Sequence, residues 1–306
     1  MLLLILVIVL IIIYTKRKQE YENSDYYANT HASYGSVLHN KGARGEYYTY
    51  DKLKDVVGYK KFLFNCYIPK NNGEMTEIDV IMIHEAGIYL FESKNMSGWI
   101  FGTETQTKWT QVFAAGPNRS EKYSFFNPIM QNRIHVKWIK EYLHEFTNLP
   151  FFSYIVFGDN CELKKISLTS FEHCVIKRNE LLPMISCQLS GMAPCLSCQM
   201  VDALYNRLYP LTQVDQFTKM QHVQNIQNKR NGVPPMNNCN VNNNLNNNPY
   251  CNMGNDGWSN VENNIRLCPR CNQQLVIRTA TKGRNVGRKF WGCSAFPKCR
   301  YIENIP

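Results

Sequence analysis

The 306-residue chain contains no apolar run of the roughly 20 residues that span a bilayer comfortably. Its one long run, Met1 to Tyr14, has neither the positive n-region nor the small-residue cleavage site of a secretory signal. Acidic side chains are in deficit. Against 34 Lys and Arg stand 24 Asp and Glu, giving a formal charge of +10 and a pI near 9.0. That balance favours a polyanionic partner, nucleic acid or an anionic membrane surface, and carries no information about fold. Twelve cysteines are present, but they do not read as a disulfide framework. Four have zinc-ligand spacing near the C-terminus, and the others are scattered through apolar or Asn-rich sequence, as in a reducing compartment. Cys187, Cys195 and Cys198 have no neighbouring His or fourth Cys at ligand spacing. Neither a second zinc site nor a thioredoxin-like redox site is expected there.

The N-terminal run is apolar all round, which argues against a core helix. It predicts a short transmembrane anchor over residues 1–14 with Tyr14 at the interface. Lys16, Arg17 and Lys18 form a basic flank that would place the following chain on the cytoplasmic side, as a single-pass cell-membrane protein. Residues 15–38 are polar and tyrosine-rich without a clear period and read as a juxtamembrane linker.

Between Met75 and Gly98 the sequence reads as two apolar strands joined at His84-Glu85-Ala86-Gly87. Four charged residues interrupt them: Glu77, Asp79, Glu92 and Lys94. A turn centred between Glu85 and Ala86 sets Asp79 opposite Glu92 and Glu77 opposite Lys94, with both pairs on one face. Directly opposed residues hold their Cβ atoms roughly 4.5–5.5 Å apart. Facing carboxylates repel unless something positive lies between them. A hard cation, Mg²⁺ or Mn²⁺, would suit Asp79 and Glu92, since such ions are held by one or two carboxylates plus phosphate. A bound ion acidifies water and stabilises charge on phosphate. The alternative is a solvated strand face with a Glu77–Lys94 pair.

Upstream, Glu46, Tyr50, Leu53 and Val57 recur at helical spacing, so Glu46 shares a stripe with apolar residues. It is either a metal-linked acid or a helix-start glutamate helped by the dipole. Phe62 to Pro69 reads as a first strand, and Gly98 to Gly102 and Lys108 to Phe113 as two more. Trp99 and Trp109 are expected in the core. Asn127-Pro128 starts a helix, Asn as N-cap and Pro at the first helical position. On it, Gln131, Ile134, Trp138 and Tyr142 fall on one side, which predicts an inward Gln131 near the positive end of the helix. Its alternative is a glutamine bonded to backbone. Strands at Phe152–Phe157, Cys161–Leu168 and Cys174–Lys177 precede a helical pattern to about Asn228. Residues 231–264 are dominated by asparagine and cannot bury enough apolar surface to offset chain entropy, so they read as a flexible linker.

The last stretch pairs Cys268-x-x-Cys271 with Cys293 and Cys299. Four thiolates in two pairs suit a closed tetrahedral Zn²⁺ site, without which so short a module would not fold. Arg278, Lys282, Arg284, Arg288, Lys289, Lys298 and Arg300 alternate with Phe290, Trp291, Phe296 and Tyr301. That mixture of charge and stacking planes is the one single-strand binding uses. The aromatics could equally pack a small core over the zinc.

The order G-x-x-G-E, then E-I-D, then G-I-Y-L-F-E-S-K-N, then N-P-I-M-Q before a helix resembles the nuclease-related domain (NERD) family, a branch of the PD-(D/E)XK endonuclease-like superfamily. The resemblance covers about residues 39–160, with 161–230 as a C-terminal extension. It implies an α/β, restriction-endonuclease-like mixed sheet flanked by helices. It also implies a nuclease site in which Asp79 and Glu92 bind metal, Lys94 is catalytic, and Glu46 and Gln131 flank them. The segment C-P-R-C…F-W-G-C-S-A-F-P-K-C resembles the C4 zinc finger of bacterial type I topoisomerases over residues 266–302, within a module of residues 265–306. That resemblance implies a zinc-ribbon-like module binding single-stranded DNA, not topoisomerase activity, since no catalytic-tyrosine domain of adequate size is present. The expectation is a membrane-tethered, Mg²⁺-dependent deoxyribonuclease with a DNA-gathering finger. The alternative is an inert DNA- or RNA-binding tether, and protein partners are unspecified.

Overall fold

The computed structural model describes residues 2–116, 119–230, 268–271, 275–279, 289–295 and 297–304. They fall into two compact units, Met1–Asn240 and Val241–Pro306. In the first unit four helices come first: α1 (Leu2–Glu22), α2 (Asp25–Thr30), α3 (Tyr34–His39) and α4 (Lys41–Leu53). Six strands follow: β1 (Lys60–Pro69), β2 (Met75–His84), β3 (Gly87–Lys94), β4 (Gly98–Thr103), β5 (Lys108–Gly116) and β6 (Arg119–Phe126). Helix α5 (Pro128–Tyr142) then leads to β7 (Phe151–Phe157), β8 (Cys161–Ser167) and β9 (His173–Lys177). Helices α6 (Leu181–Ser190), α7 (Cys198–Leu208) and α8 (Gln216–Arg230) complete it.

Two sheets organise the strands, one in the order β1-β2-β3-β7-β9 and the other β6-β5-β4-β8. Both are mixed. β1, β2 and β3 are antiparallel neighbours, whereas β3-β7 and β7-β9 are parallel. With helices on both faces of the first sheet, the expected mixed α/β architecture is present. One face (Phe64, Val80, Met82, Tyr89, Phe91) packs on tyrosines of the N-terminal helices and on Leu181 and Ile185 of α6. The other (Leu63, Ile81, Ile83, Ile88, Leu90) packs on Ile139 of α5 and on Val201, Leu204 and Leu208 of α7. Burying each such side chain contributes roughly 1.5–3 kcal/mol.

Strict alternation fails at one place. Phe64 and Val80 face the first cluster, but Cys66 and Ile78 face the second, although Phe64 and Cys66, like Ile78 and Val80, are two positions apart and would share a face in a regular strand. Between them lie Asn65 and Asp79, which drop out of the β1–β2 ladder, and Asn65 adopts φ +50°. Asn tolerates that conformation better than a branched or bulky residue would. The two strands thus turn over together beside Asp79.

Three expectations need correction. Among the described residues no helix is long and apolar enough to cross a membrane. The apolar part of α1 ends at Tyr14, only ~20 Å from its start at 1.5 Å per residue. The side chains from Leu3 to Tyr14 are 43–75% exposed. Residues 15–38, read as a linker, are instead mostly helical. Tyr21, Tyr26, Tyr34 and Val37 are buried, and Tyr21 and Tyr26 pack against Tyr47 of α4. Their apolar surface is carried on aromatic rings, which a search for aliphatic periodicity passes over. Finally, the buried face of α5 is rotated from the expected stripe, of which Trp138 and Tyr142 still pack, half-buried, on the second cluster. Ile129, Asn132, His135 and Ile139 are buried, while Ile134 is exposed. Its start is as expected, with Asn127 Oδ1 accepting from Ile129 N at 2.9 Å, a cap worth ~1 kcal/mol. The Asn-rich stretch 231–264 lies outside the described residues.

Candidate active site and metal centre

Strand β2 carries Asp79 and β3 carries Glu92 and Lys94. The β2–β3 register follows the expected turn, from His84↔Gly87 to Val80↔Phe91. The ladder ends there, one pair short of the expected Asp79–Glu92 opposition. The Ser93 N–H donates to Asp79 Oδ2 at 2.8 Å. Asp79 is therefore tied to β3 through its carboxylate.

Glu92 is buried and engaged at both oxygens. Oε1 receives the Lys94 ammonium in a short contact, and Oε2 lies 3.1 Å from His135 Nε2. Lys94 Nζ also donates to Gln131 Oε1 at 3.2 Å, so the helical glutamine joins the site even though it sits at the margin of the buried face. Thr76 Oγ1 lies 2.8 Å from His135 Nδ1. With the threonine hydroxyl donating to Nδ1, the Nε2 proton points at Glu92. The expected Glu77–Lys94 opposition is not the contact formed. Tyr67 O–H donates to Glu77 Oε1 at 2.7 Å, and His222 of α8 lies 3.9 Å from Glu77 Oε2. The turn-over at Asp79 moves Glu77 to β1 and α8.

Glu46 reaches the same region from α4. A Cβ at Gly45 would stand 2.8 Å from Asn95 Cβ and 3.2 Å from Ser93 Oγ, so only glycine lets α4 approach the end of β3 this closely. Glu46 accepts from Tyr26 O–H at 3.1 Å and from the Asn65 side chain. Burial, then the Glu77 charge, raises its carboxyl to about 7. Burial, then Glu92 and Glu46, pushes Asp79 well above the usual carboxylate range. Burial would push Glu92 up as well, but Lys94 and His135 outweigh it and leave it below its ordinary value. Glu92 is buried and Glu46 and Asp79 are half-buried; together they form a set of mutually repelling acids whose charge a hard cation would relieve, and the donor chemistry fits Mg²⁺ or Mn²⁺. Asn65, Tyr26 and His135 escaped the sequence reading. Asn65 carried a signal, a polar residue inside an apolar strand, and His135 follows Gln131 by one helical turn.

The second unit contains β10 (Leu275–Thr279), β11 (Lys289–Cys293) and β12 (Ile302–Asn304) as one antiparallel sheet. Its cysteines converge. Sγ of Cys268, Cys271, Cys293 and Cys299 all lie within 4.8 Å of one another, with Cys271–Cys293 at 3.3 Å and Cys268–Cys299 at 3.7 Å. Sulfurs each ~2.3 Å from a tetrahedral zinc would stand ~3.8 Å apart, so the set fits Zn²⁺. Burial would raise the Cys268 thiol, but N–H groups of Arg270 and Cys271 bring it to about 7, toward the thiolate a metal needs. Among the described residues this is the only group of three or more such ligands drawn so close. Trp291 and Tyr301 pack against the cysteines, so these two aromatics serve the small core. Lys298 and Arg300 are exposed and Phe290 is half-buried. Arg284, Arg288, Lys282 and Phe296 lie outside the described residues, as does the Lys289 side chain.

Residues 41–158 match the nuclease-related domain, and residues 265–306 match the topoisomerase DNA-binding C4 zinc finger. An uncharacterized protein of Bacillus anthracis is 32% identical over 168 residues, which are 55% of this chain and 74% of that protein. The chain belongs to the nuclease-related domain family. Its last residues are similar to DNA topoisomerase 1 of Mycoplasma genitalium, 55% identical over 38 residues, 12% of this chain and 5% of that one. They are also similar to DNA topoisomerase 1 of Methanocaldococcus jannaschii, 38% identical over 45 residues, 15% of this chain and 5% of that one. No solved structure matches.

Proposed function

We propose that the chain is a divalent-metal-dependent nuclease that hydrolyses phosphodiester bonds of DNA, with the C-terminal finger binding single strands. The observation that carries this reading is the gathering of Asp79, Glu92, Lys94 and Gln131 where the β2–β3 ladder ends, beside the first turn of α5, with Glu46 brought in by α4. Asp79 and Glu92 would hold Mg²⁺ or Mn²⁺. That ion supplies an acidified water and charge stabilisation on the phosphate. Lys94 holds positive charge beside Glu92 and orients the attacking water, while Gln131 fixes the ammonium from the other side. Glu46, raised to about 7, can accept a proton near neutrality.

The test is cleavage of plasmid and single-stranded DNA with Mg²⁺ by the wild-type chain, Asp79→Ala and Lys94→Ala. Each substitution is expected to reduce cleavage by about 100-fold or more. Equal cutting by all three proteins refutes the assignment.

A second reading is a nucleic-acid-binding protein without hydrolytic activity. It is favoured by the engagement of both Glu92 oxygens, by Lys94 and by His135. DNA affinity without cutting in Mg²⁺ or Mn²⁺ would support it.

A further inference from the structure

Among the described residues, the β6-β5-β4-β8 sheet has one face in the core and one face that is largely exposed. Directly opposed residues point to the same side of a sheet, so the ladders sort its side chains. Ile100, Gln111, Trp109 and Phe125 take the inner side, where Trp109 is buried against Phe157. Trp99 lies opposite Val112, and Val112 opposite Lys122, which puts Trp99 and Lys122 on the outer side. Phe101 shares that side through Thr110, as do Lys165 opposite Phe101 and the pair Lys108↔Phe126.

This corrects the expectation for one of the two tryptophans. Trp109 is core, but Trp99 is 41% exposed and Phe126 40%. A solvent-facing sheet ordinarily turns small polar residues outward. This one shows large aromatic planes with lysines set between them. Lys164 stands over the Trp99 ring at 5.5 Å from its centroid, at the β4–β8 register shift. The charge is one-sided: Lys108, Lys122, Lys164 and Lys165 share the face with the carboxylate Glu162, which Lys164 pairs at 2.6 Å.

We infer that this outer sheet face is a binding platform for single-stranded nucleic acid, separate from the zinc finger, with bases stacking on Trp99, Phe101 and Phe126 and phosphates meeting the lysines. Stacking on exposed rings combined with a basic track is how sequence-tolerant single-strand binding works, and open sheet faces supply such platforms. A duplex suits the face less well, because its bases are not free to stack on protein rings. Trp99 follows Lys94 by five residues, so the platform begins at most ~18 Å along the chain from the proposed catalytic lysine. The inference extends the nuclease reading by naming where the strand is held. It is measured without divalent ions, so its failure and the failure of the catalytic reading are told apart.

The experiment uses full-length protein and a fluorescein-labelled oligothymidine 20-mer, with no added Mg²⁺ or Mn²⁺. Ultraviolet cross-linking followed by peptide mapping should place cross-links in the 99–101 and 119–126 segments as well as in the finger. Fluorescence anisotropy is then read in a full-length chain carrying Cys293→Ser and Cys299→Ser. In that background Trp99→Ala should weaken affinity at least fivefold. Lys122→Ala with Lys165→Ala should weaken it and flatten its dependence on salt by about 1.4 in log–log slope. The lysines are on the surface, so the pair answers the question even where Trp99→Ala unfolds the unit. Cross-links confined to residues 265–306, with affinity unchanged in the folded lysine variant, overturn the proposal. So does a change of oligomeric state in the lysine variant with affinity unchanged, which would make the face a contact between copies of the chain.

Discussion

His135 Nε2 stands 3.1 Å from Glu92 Oε2, inside the buried contact between α5 and β3. The imidazole is fixed from behind by Thr76 and orients a carboxylate that the nuclease reading assigns to metal. Partners of this kind, one step behind a ligand, typically account for 10–100-fold in metal affinity or activity. His135→Ala is expected to weaken Mn²⁺ binding by about that factor and to destabilise the unit by ~1–3 kcal/mol through the orphaned carboxylate oxygen. His135→Gln, which can still donate, should recover part of both. Metal titration and thermal unfolding of the two variants check the claim, and unchanged metal affinity in His135→Ala would remove His135 from the site.

Glu46 gives a pH-dependent outcome of definite sign. Its folded value, raised to about 7, lies above that of an unfolded glutamate, ~4.3. The folded state therefore binds the extra proton, and this contribution is fully present below pH ~4.3 and lost as pH rises through 7. Without divalent ions the wild-type chain should lose stability between pH 5 and 8. Glu46→Gln should lose less over that range and be the more stable of the two at pH 8. Unfolding midpoints measured against pH decide it.

Glu104 has the opposite sign. Ser170 O–H and the Thr169 and Ser170 N–H groups donate to it, Arg133 pairs with it, and its carboxyl is held at about 2. A depressed carboxyl contributes stability above its unfolded value that is lost as pH falls toward the folded one. Glu104→Gln should flatten the acid limb of the stability curve between about pH 4 and 2. An acid limb identical to wild type would mean that these bonds do not favour the ionised form.

The cysteine set predicts a module that depends on its metal. Cys271→Ser, or a zinc chelator, should remove hydrogen-exchange protection from β10, β11 and β12 and reduce oligonucleotide affinity, while the Met1–Asn240 unit melts as before. Full protection of those strands without zinc would show that Leu275, Trp291 and Tyr301 suffice as a core.

The sequence made the Asp79–Glu92–Lys94 hairpin legible because two apolar runs bounded by charged residues and a two-residue turn fix register. Cys268, Cys271, Cys293 and Cys299 were legible because ligand spacing is a local property. The reading went astray where polar atoms are buried by tertiary contacts that no period records. Asn132 and His135 replace apolar residues on the inward face of α5, and their partners, Ser153 and Glu92, lie far away in sequence. The turn-over at Asn65 and Asp79 was likewise hidden, since one residue at positive φ rotates a strand without altering its composition. Tyr26 reaches Glu46 from a stretch whose helices are held by tyrosine packing. Trp99 and Trp109 look alike in sequence, and only the strand ladders assign them to opposite faces of the sheet.

The central claim is that Asp79 and Glu92 share a divalent cation. Crystals soaked in Mn²⁺ and measured for anomalous scattering test it directly. The account predicts a peak between the two carboxylates in the wild-type chain and none there in Asp79→Ala. A wild-type crystal with no peak at that position, at a Mn²⁺ concentration that supports cleavage by the same protein, would contradict it.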